Sequence, residues 1–342
     1  MAARSLPLWV YLTTHEPQAA GPAMLFPSRT LHELPRVLRG AFFEWHEDKV
    51  PRMAAAIAFY AVFSLTPIVV IAFKIAERSF GSEVALREIL AQAAFLIGND
   101  GAAAIEGLIA NAQPRAATPI ATGIGIATMI FAATGVFTEL KDSLNTIWEV
   151  QPKPGLGIVQ MIIDRFFAFA MVLVIWFLML ISLVTSAAMA AAVRVASPYV
   201  VGVQFIESLL SLALITLLFA LIYRVLPDVK VAWRDVWLGA FVTAGLFVIG
   251  KLLFGLYLGH SSLGSSYGAA GSLVIVILWV YYSCLILLFG AEMTQVQARI
   301  HHVPLEPTEK AVHVTEHARV QQGIPRTSDV QAAARGDEVS RW

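Results

Sequence analysis

Six stretches of this chain are almost wholly apolar, and shorter segments where charge and proline return separate them. Twenty helical residues at about 1.5 Å each cross a hydrocarbon core of about 30 Å. The pattern therefore predicts an all-α protein, a polytopic transmembrane helical bundle with spans at about 54–75, 117–138, 166–192, 205–225, 237–258 and 271–293. The last is the most complete, uncharged from Ser272 to Ala291 and closed by Gly290-Ala291-Glu292. A carboxylate at the membrane boundary is costly unless paired or hydrated, so Glu292 is a candidate functional residue.

The segments outside the spans carry patterns of their own. Residues 1–35 read as a disordered or mis-assigned start, with Met24 an alternative initiator. Residues 28–52 set Arg29, Arg36, Arg39, Lys49 and Arg52 beside Phe42, Phe43 and Trp45, as in an amphipathic helix lying on an anionic leaflet. Between spans one and two, residues 83–113 are only intermittently apolar and are interrupted by Gly98-Asn-Asp-Gly101. They predict two amphipathic helices that cap the bundle on the extracytoplasmic side or re-enter it as a hairpin. Residues 36–298 are expected to form the membrane domain, and 299–342 a polar, disordered cytoplasmic tail.

Polar residues inside or just beyond the spans supply the candidate chemistry. Tyr60, Ser64, Pro67 and Lys74 share one helical face, and Pro67 cannot donate to the Phe63 carbonyl, so a kink is expected. Either Ser64 and neighbouring helices relieve it, or the freed carbonyls and Tyr60 line a cavity. Span two carries Gly123, Gly125, Ala127, Ala132, Ala133 and Gly135, which suit close helix approach. Thr138, Lys141, Asn145 and Trp148 continue its pattern as a polar stripe, read either as a solvated helix end or as a substrate vestibule. Lys251 in span five either snorkels toward Tyr257 and His260 or needs a buried anion. In span six Tyr281, Leu285, Leu288 and Glu292 share a face that should point into the bundle. The loop from Gly259 to Gly271 reads as a flexible hairpin or as an anion nest.

Composition narrows the class. Of 342 residues 58% are hydrophobic and 14% charged, against about 25% charged in soluble domains. Formal net charge is zero, which leaves no global field for nucleic acid. The single cysteine, Cys284, reads as a packing residue. Lys and Arg gather in alternate connections: Lys141, Lys153 and Arg165 after span two, and Arg224, Lys230 and Arg234 after span four. Together with the basic residues before span one, they predict that both termini are cytoplasmic.

Several pieces together resemble one family: AAAIAFYAVFSLTP in span one, GVFTELKDSLNTIWEV, LPDVKVAWRDVWLGA, and SYGAAGSLVIVILWVYYSCLILLFGAE. The chain is similar over about residues 36–298 to the YihY/BrkB family of bacterial inner-membrane proteins, some of which carried an old ribonuclease label. The resemblance implies six spans, an inner (plasma) membrane location, and roles in envelope integrity or in moving lipids or solutes. It carries over to Tyr60, Ser64, Pro67, Gly135, Leu140, Leu144, Asn145, Trp148, Pro227, Gly239, Tyr267, Gly268, Gly271, Trp279, Tyr281, Gly290, Ala291 and Glu292. Hydrolysis of a phosphodiester by metals calls for clustered His and Asp ligands, and the eight histidines form no such cluster, so ribonuclease activity is disfavoured.

The leading expectation is a transporter or flippase-like carrier of a lipid, amphiphile or small anionic solute in envelope maintenance. Its path would involve Tyr60, Ser64, Pro67, Thr138, Lys141, Asn145, Lys251, Tyr281 and Glu292. The alternative is a non-transporting membrane scaffold or partner-binding subunit. No catalytic constellation, cofactor site or metal site is expected, and no Walker A pattern is present. Expected partners are membrane lipids and a lipid or small-solute substrate, with room for a homo-oligomer and none for nucleic acid.

Overall fold

In the computed structural model the described residues are 29–111, 135–155, 163, 200–260, 271–327 and 330. The chain divides into two compact units, Met1–Arg36 and Val37–Trp342. Of the first, only residues 29–36 are described, and they are helical. Everything below concerns the second.

The described elements are α1 (Arg29–Glu47), α2 (Val50–Phe80), α3 (Ser82–Asn111), α4 (135–147), β1 (Val150–Pro152), α5 (Val200–Val225), α6 (Trp233–His260), α7 (Gly271–Ile300), β2 (Ala311–His313) and α8 (Glu316–Gln321). Three helices are long and apolar enough to cross a membrane, over Ser208–Val225, Trp233–Phe254 and Val274–Ile300. They coincide with expected spans four, five and six. Span one lies in α2, whose apolar run among described residues is Val50–Ser64. Only the last residues of span two are described, and span three lies outside the described residues. Among the described residues the structure thus supports a helical membrane bundle with three helices long and apolar enough to span.

α1 keeps Phe42 and Phe43 exposed, at 59% and 60%, while Val37 and Ala41 are buried. Two large apolar side chains facing outward beside Arg39 suit a helix seated at a membrane surface. The chain then reverses at Asp48-Lys49, with Lys49 in the left-handed region at φ 56° and Pro51 in the first turn of α2. α2 continues through Pro67 as one helix. Its Ser64 Oγ donates to the Ala61 carbonyl at 2.9 Å.

The expected break at 98–101 is absent, because α3 is a single helix of 30 residues through both glycines. Each glycine costs about 1 kcal/mol against alanine. That is less than α3 gains by packing Ala85, Ile105 and Ile109 against Phe73 of α2. α3 also packs against α6 and α7 and so belongs to the bundle, which corrects the picture of two capping helices.

The core of the bundle joins the start of α2, α4, α5, α6 and α7 around Ile57, Leu144, Trp148, Tyr223, Ala240 and Leu288. α6 and α7 approach closely where glycines face threonines. A Cβ on Gly290 would run into Thr243 Oγ1 and the Tyr223 hydroxyl, and one on Gly239 would meet Thr294 Oγ1 and the Gly290 carbonyl. The hydroxyls are satisfied there. Thr243 donates to the Gly239 carbonyl at 2.7 Å, Thr294 to that of Gly290 at 2.8 Å, and Tyr223 to that of Leu287 at 2.7 Å.

Residues 301–327, expected to be disordered, are folded. β2 pairs antiparallel with β1, Val150 opposite His313 and Pro152 opposite Ala311. A single bridge joins Val229 to Pro307. α8 follows, with Thr315 as its N-cap accepting from the Ala318 amide. Low hydrophobicity predicts disorder only for a segment that must stabilise itself. This one takes hydrogen bonds and ion pairs from Glu47 of α1, Asp48 and Lys49 in the α1–α2 turn, Glu149 in the α4–β1 turn, and Asp228 and Lys230 in the α5–α6 turn.

Candidate functional site

The polar residues of α4 divide between two adjacent faces, and the structure gives each a different task. Lys141 Nζ lies 2.9 Å from Asp228 Oδ2 in the α5–α6 turn. Asn145 Nδ2 donates to the same oxygen at 3.0 Å, and its Oδ1 accepts from the Asp228 amide at 2.8 Å. The Asp228 carbonyl accepts from the Thr308 amide at 2.9 Å. Trp148 on the same face is fully buried. The stripe expected to be a solvated end or a vestibule therefore clamps a turn. Its anchor, Asp228, is not evident from α4 alone.

The neighbouring face, Glu139, Asp142, Ser143 and Thr146, lines a cavity of about 390 Å³. Asp48, Arg52, Met53 and Ala56 form the opposite wall, and Gln322 and Ile324 of the tail close a third side. Both helical sets recur at three- and four-residue intervals, so each is one continuous stripe. Ser143 is 2% exposed, and its hydroxyl has no hydrogen-bond partner among the described residues. Arg52, Glu139 and Asp142 make no ion pair among them either. Asp142 keeps part of its surface open. Its carboxyl is nonetheless held up at about 6, first by burial and then by the Glu139 charge, with Lys141 pulling the other way and Asp228 adding to the rise.

The tail reaches this cavity through a cluster of charges. Arg319 Nη2 lies 2.7 Å from Asp48 Oδ1, and both side chains are almost fully buried. Burial pushes the Asp48 carboxyl up to about 6 against the pull of Arg319, while Glu44 and Glu149 add to the rise. Burial opposes the Arg319 charge, but Asp48, Glu149 and Glu316 outweigh it and raise that group. Glu149 Oε1 collects Arg326 at 2.6 Å, Arg299 at 3.4 Å and Arg319 at 3.7 Å. Glu149 is left-handed at φ 54°, which turns the chain from α4 into β1. Lys49 Nζ donates to the Gly323 carbonyl, and Arg299 pairs with Glu44 at 2.6 Å.

The remaining candidates lie on α2, α4, α6 and α7. Glu292 is fully buried, and both its carboxylate oxygens lack a hydrogen-bond partner among the described residues. Gln295 and Gln297, on the same end of α7, each bury an Oε1 without a partner. Leu288 is buried with Glu292, and Tyr281 and Leu285 pack against the core, so that face of α7 does point inward. Tyr60 packs against α4, where a Cβ on Gly135 would stand 2.7 Å from its Cδ1. Thr138 is exposed. Lys251 is half-buried in the last third of α6. The side chain of Pro67 and the loop at 261–270 lie outside the described residues. The structure brings Lys141 and Asn145 together on Asp228 and sets Tyr60 against α4.

Sequence reasoning missed Asp48, Arg52, Glu139, Asp142 and Ser143, although the Glu-x-x-Asp-Ser-x-x-Thr spacing of α4 was available. It also missed Arg319 and Glu149, whose pairing across 170 residues has no local signal. Among the described residues no group of three His, Cys, Asp or Glu side chains could hold a metal ion.

Comparison with known proteins finds membrane proteins as relatives. A family model described as Virulence factor BrkB matches residues 41–313. A UPF0761 membrane protein of Ralstonia nicotianae is 30% identical over 289 residues, covering 78% of this chain and 61% of the relative. One from Albidiferax ferrireducens is 30% identical over 253 residues, covering 72% and 58%. One from Alteromonas mediterranea is 28% identical over 258 residues, covering 72% and 83%. The chain thus spans about three fifths of the length of the first two. No solved structure matches.

Proposed function

This chain belongs to the Virulence factor BrkB family of integral membrane proteins, and from that premise we propose that it is a non-enzymatic carrier that moves a lipid or other amphiphile in envelope maintenance. The observation that carries the reading is Glu292. A carboxylate buried in an apolar helix without a hydrogen-bond partner costs several kcal/mol, which a purely structural position has no reason to bear. Gln295 and Gln297 extend the polar strip along the same end of α7. The cavity walled by α2 and α4 supplies a polar recess at the helix ends. With Asp48 paired to Arg319, its two remaining carboxylates against one arginine suit a free anion poorly, so the amphiphile is preferred over an anionic solute. The bias of Lys and Arg supports an inner-membrane protein with both termini, and hence this recess, on the cytoplasmic side.

A specific observation favours a second reading, a non-transporting scaffold: Lys141 and Asn145 are engaged with Asp228 and are not available to a substrate. Reconstituted liposomes separate the two. Movement of fluorescent phospholipids is expected with the wild type and at least about tenfold slower with Glu292→Gln. No movement of phospholipids or organic anions by correctly folded wild-type protein would leave the scaffold.

A further inference from the structure

We propose that residues 306–327 form a releasable strap that holds the α2 and α4 walls of the recess together, with the Arg319 guanidinium as its clasp. The inference rests on the carrier reading and adds a control to it: the strap must let go before an amphiphile passes. The guanidinium reaches both walls. Its Nη2 lies 2.7 Å from Asp48 Oδ1 at the head of α2, and its Nη1 lies 3.7 Å from Glu149 Oε1 just past α4. Gln322 and Ile324 close the side between them. Parting the walls at this end therefore means breaking the Arg319 contacts. Further back, the strap is tied to the α5–α6 turn, where the Thr308 amide donates to the Asp228 carbonyl and the Lys230 amide to the Glu306 carbonyl, each at 2.9 Å. One segment thus fastens the ends of α2, α4, α5 and α6.

The way the strap is built makes it releasable. α8 has only six residues, and an isolated helix of that length does not hold itself together in water. It is ordered while docked and unfolds when free, which gives an order–disorder element with two states. Docking relies largely on charge and polar contacts. Beside the Arg319 pair, Arg326 meets Glu149 at 2.6 Å, the Lys49 ammonium donates to the Gly323 carbonyl, and the Thr327 amide donates to Glu47 Oε1. Ile324 is the apolar side chain that seats this end. Most of the attraction within a buried ion pair is offset by desolvation, and Arg319 Nε is buried with no hydrogen-bond partner among the described residues. Such a clasp is selective for its seat without being tight.

The test uses the full chain carrying Cys284→Ala, reconstituted in liposomes with fluorescent phospholipids. Movement should be at least about tenfold faster in Arg319→Met, because the rate follows the fraction of molecules with the strap released. Glu47→Cys and Thr327→Cys, which the Thr327 amide contact sets side by side, allow the strap to be fastened with a short bis-thiosulfonate. Cross-linking should slow movement at least about tenfold, and dithiothreitol should restore it. A second readout needs no transport. A water-soluble maleimide should label Ala56→Cys, on the α2 wall, at least about tenfold faster when Arg319→Met is added. Adding Asp48→Asn to that pair should return labelling toward the slower rate, since no charge is then stranded. Thermal midpoints verify the fold; should Arg319→Met not fold, loss of movement on cross-linking and its return on reduction decide the matter. The proposal is overturned by equal labelling with and without Arg319→Met, or by movement that Arg319→Met does not quicken and cross-linking does not slow. Wild-type movement persisting through those results leaves the carrier reading standing. Absence of movement in every form, with labelling still faster in Arg319→Met, keeps the strap and removes the carrier.

Discussion

Replacing Arg319 with methionine should release the tail from the bundle. Arg319 and Asp48 are 2.7 Å apart, with side chains 2% and 3% exposed. Removing one member of such a pair leaves the other charge buried and costs about 3–5 kcal/mol. At about 1.4 kcal/mol per factor of ten, that shifts the balance between docked and released tail by roughly two to three and a half orders of magnitude. Glu149 retains Arg326 and Arg299, so part of the cluster survives and the lower end of the range is expected. Hydrogen exchange at the amides that dock the tail reads this directly. Val314 donates to the Glu149 carbonyl at 2.8 Å, and Lys153 to that of Lys310 at 2.9 Å. Exchange of both should accelerate about a hundredfold or more at pH 7. Asp48→Asn combined with Arg319→Met should recover much of the protection, because no charge is then stranded. Acidification should also help the single variant. Burial pushes the Asp48 carboxyl up to about 6 even against the pull of Arg319, and without that pull it lies higher still, so Asp48 in the docked state holds a proton that the released chain holds only near 3.8. Docking is therefore favoured as pH falls from 7 toward 4 and disfavoured as it rises. Wild-type protection in Arg319→Met at pH 7, or a double variant no better than the single one, would refute the reasoning.

Other expectations follow from single contacts. Gly290→Leu should abolish the close approach of α6 and α7, since even a Cβ there meets Thr243 and Tyr223; overpacking of about 1–3 kcal/mol or more should appear as loss of monodisperse protein in detergent chromatography. Asp228→Ala frees Lys141 and Asn145 at once, and hydrogen bonds to a charged group contribute about 1.5–3 kcal/mol each, so the thermal midpoint should fall, with Asp228→Asn intermediate. Gly107→Ala should stabilise the protein by about 1 kcal/mol, because Gly107 lies inside α3 and a Cβ there meets nothing within 4 Å.

Local patterns along the chain were enough to locate α5, α6 and α7, because a run of some twenty apolar residues has one low-energy solution in a bilayer and carries that solution within itself. The inward face of α7 was legible for the same reason, since helical period alone places Leu288 and Glu292 together. The surface character of α1 was visible in its mixture of arginine and exposed phenylalanine. Tertiary structure decided what depends on partners far along the chain. Gly98 and Gly101 argue for a break by local preference, yet packing of α3 along α2 outweighs them. The tail has no apolar face with which to order itself, but Arg319 finds Asp48 at a separation of 271 residues, and β2 finds β1. On α4, sequence showed polar stripes without showing what faces them. Only the fold gave Lys141 and Asn145 to Asp228 and set Glu139, Asp142 and Ser143 along the wall of a cavity. Burial and charge pairing belong to the assembled chain, because the energy of a charged or polar group is set by its surroundings and not by its neighbours in sequence.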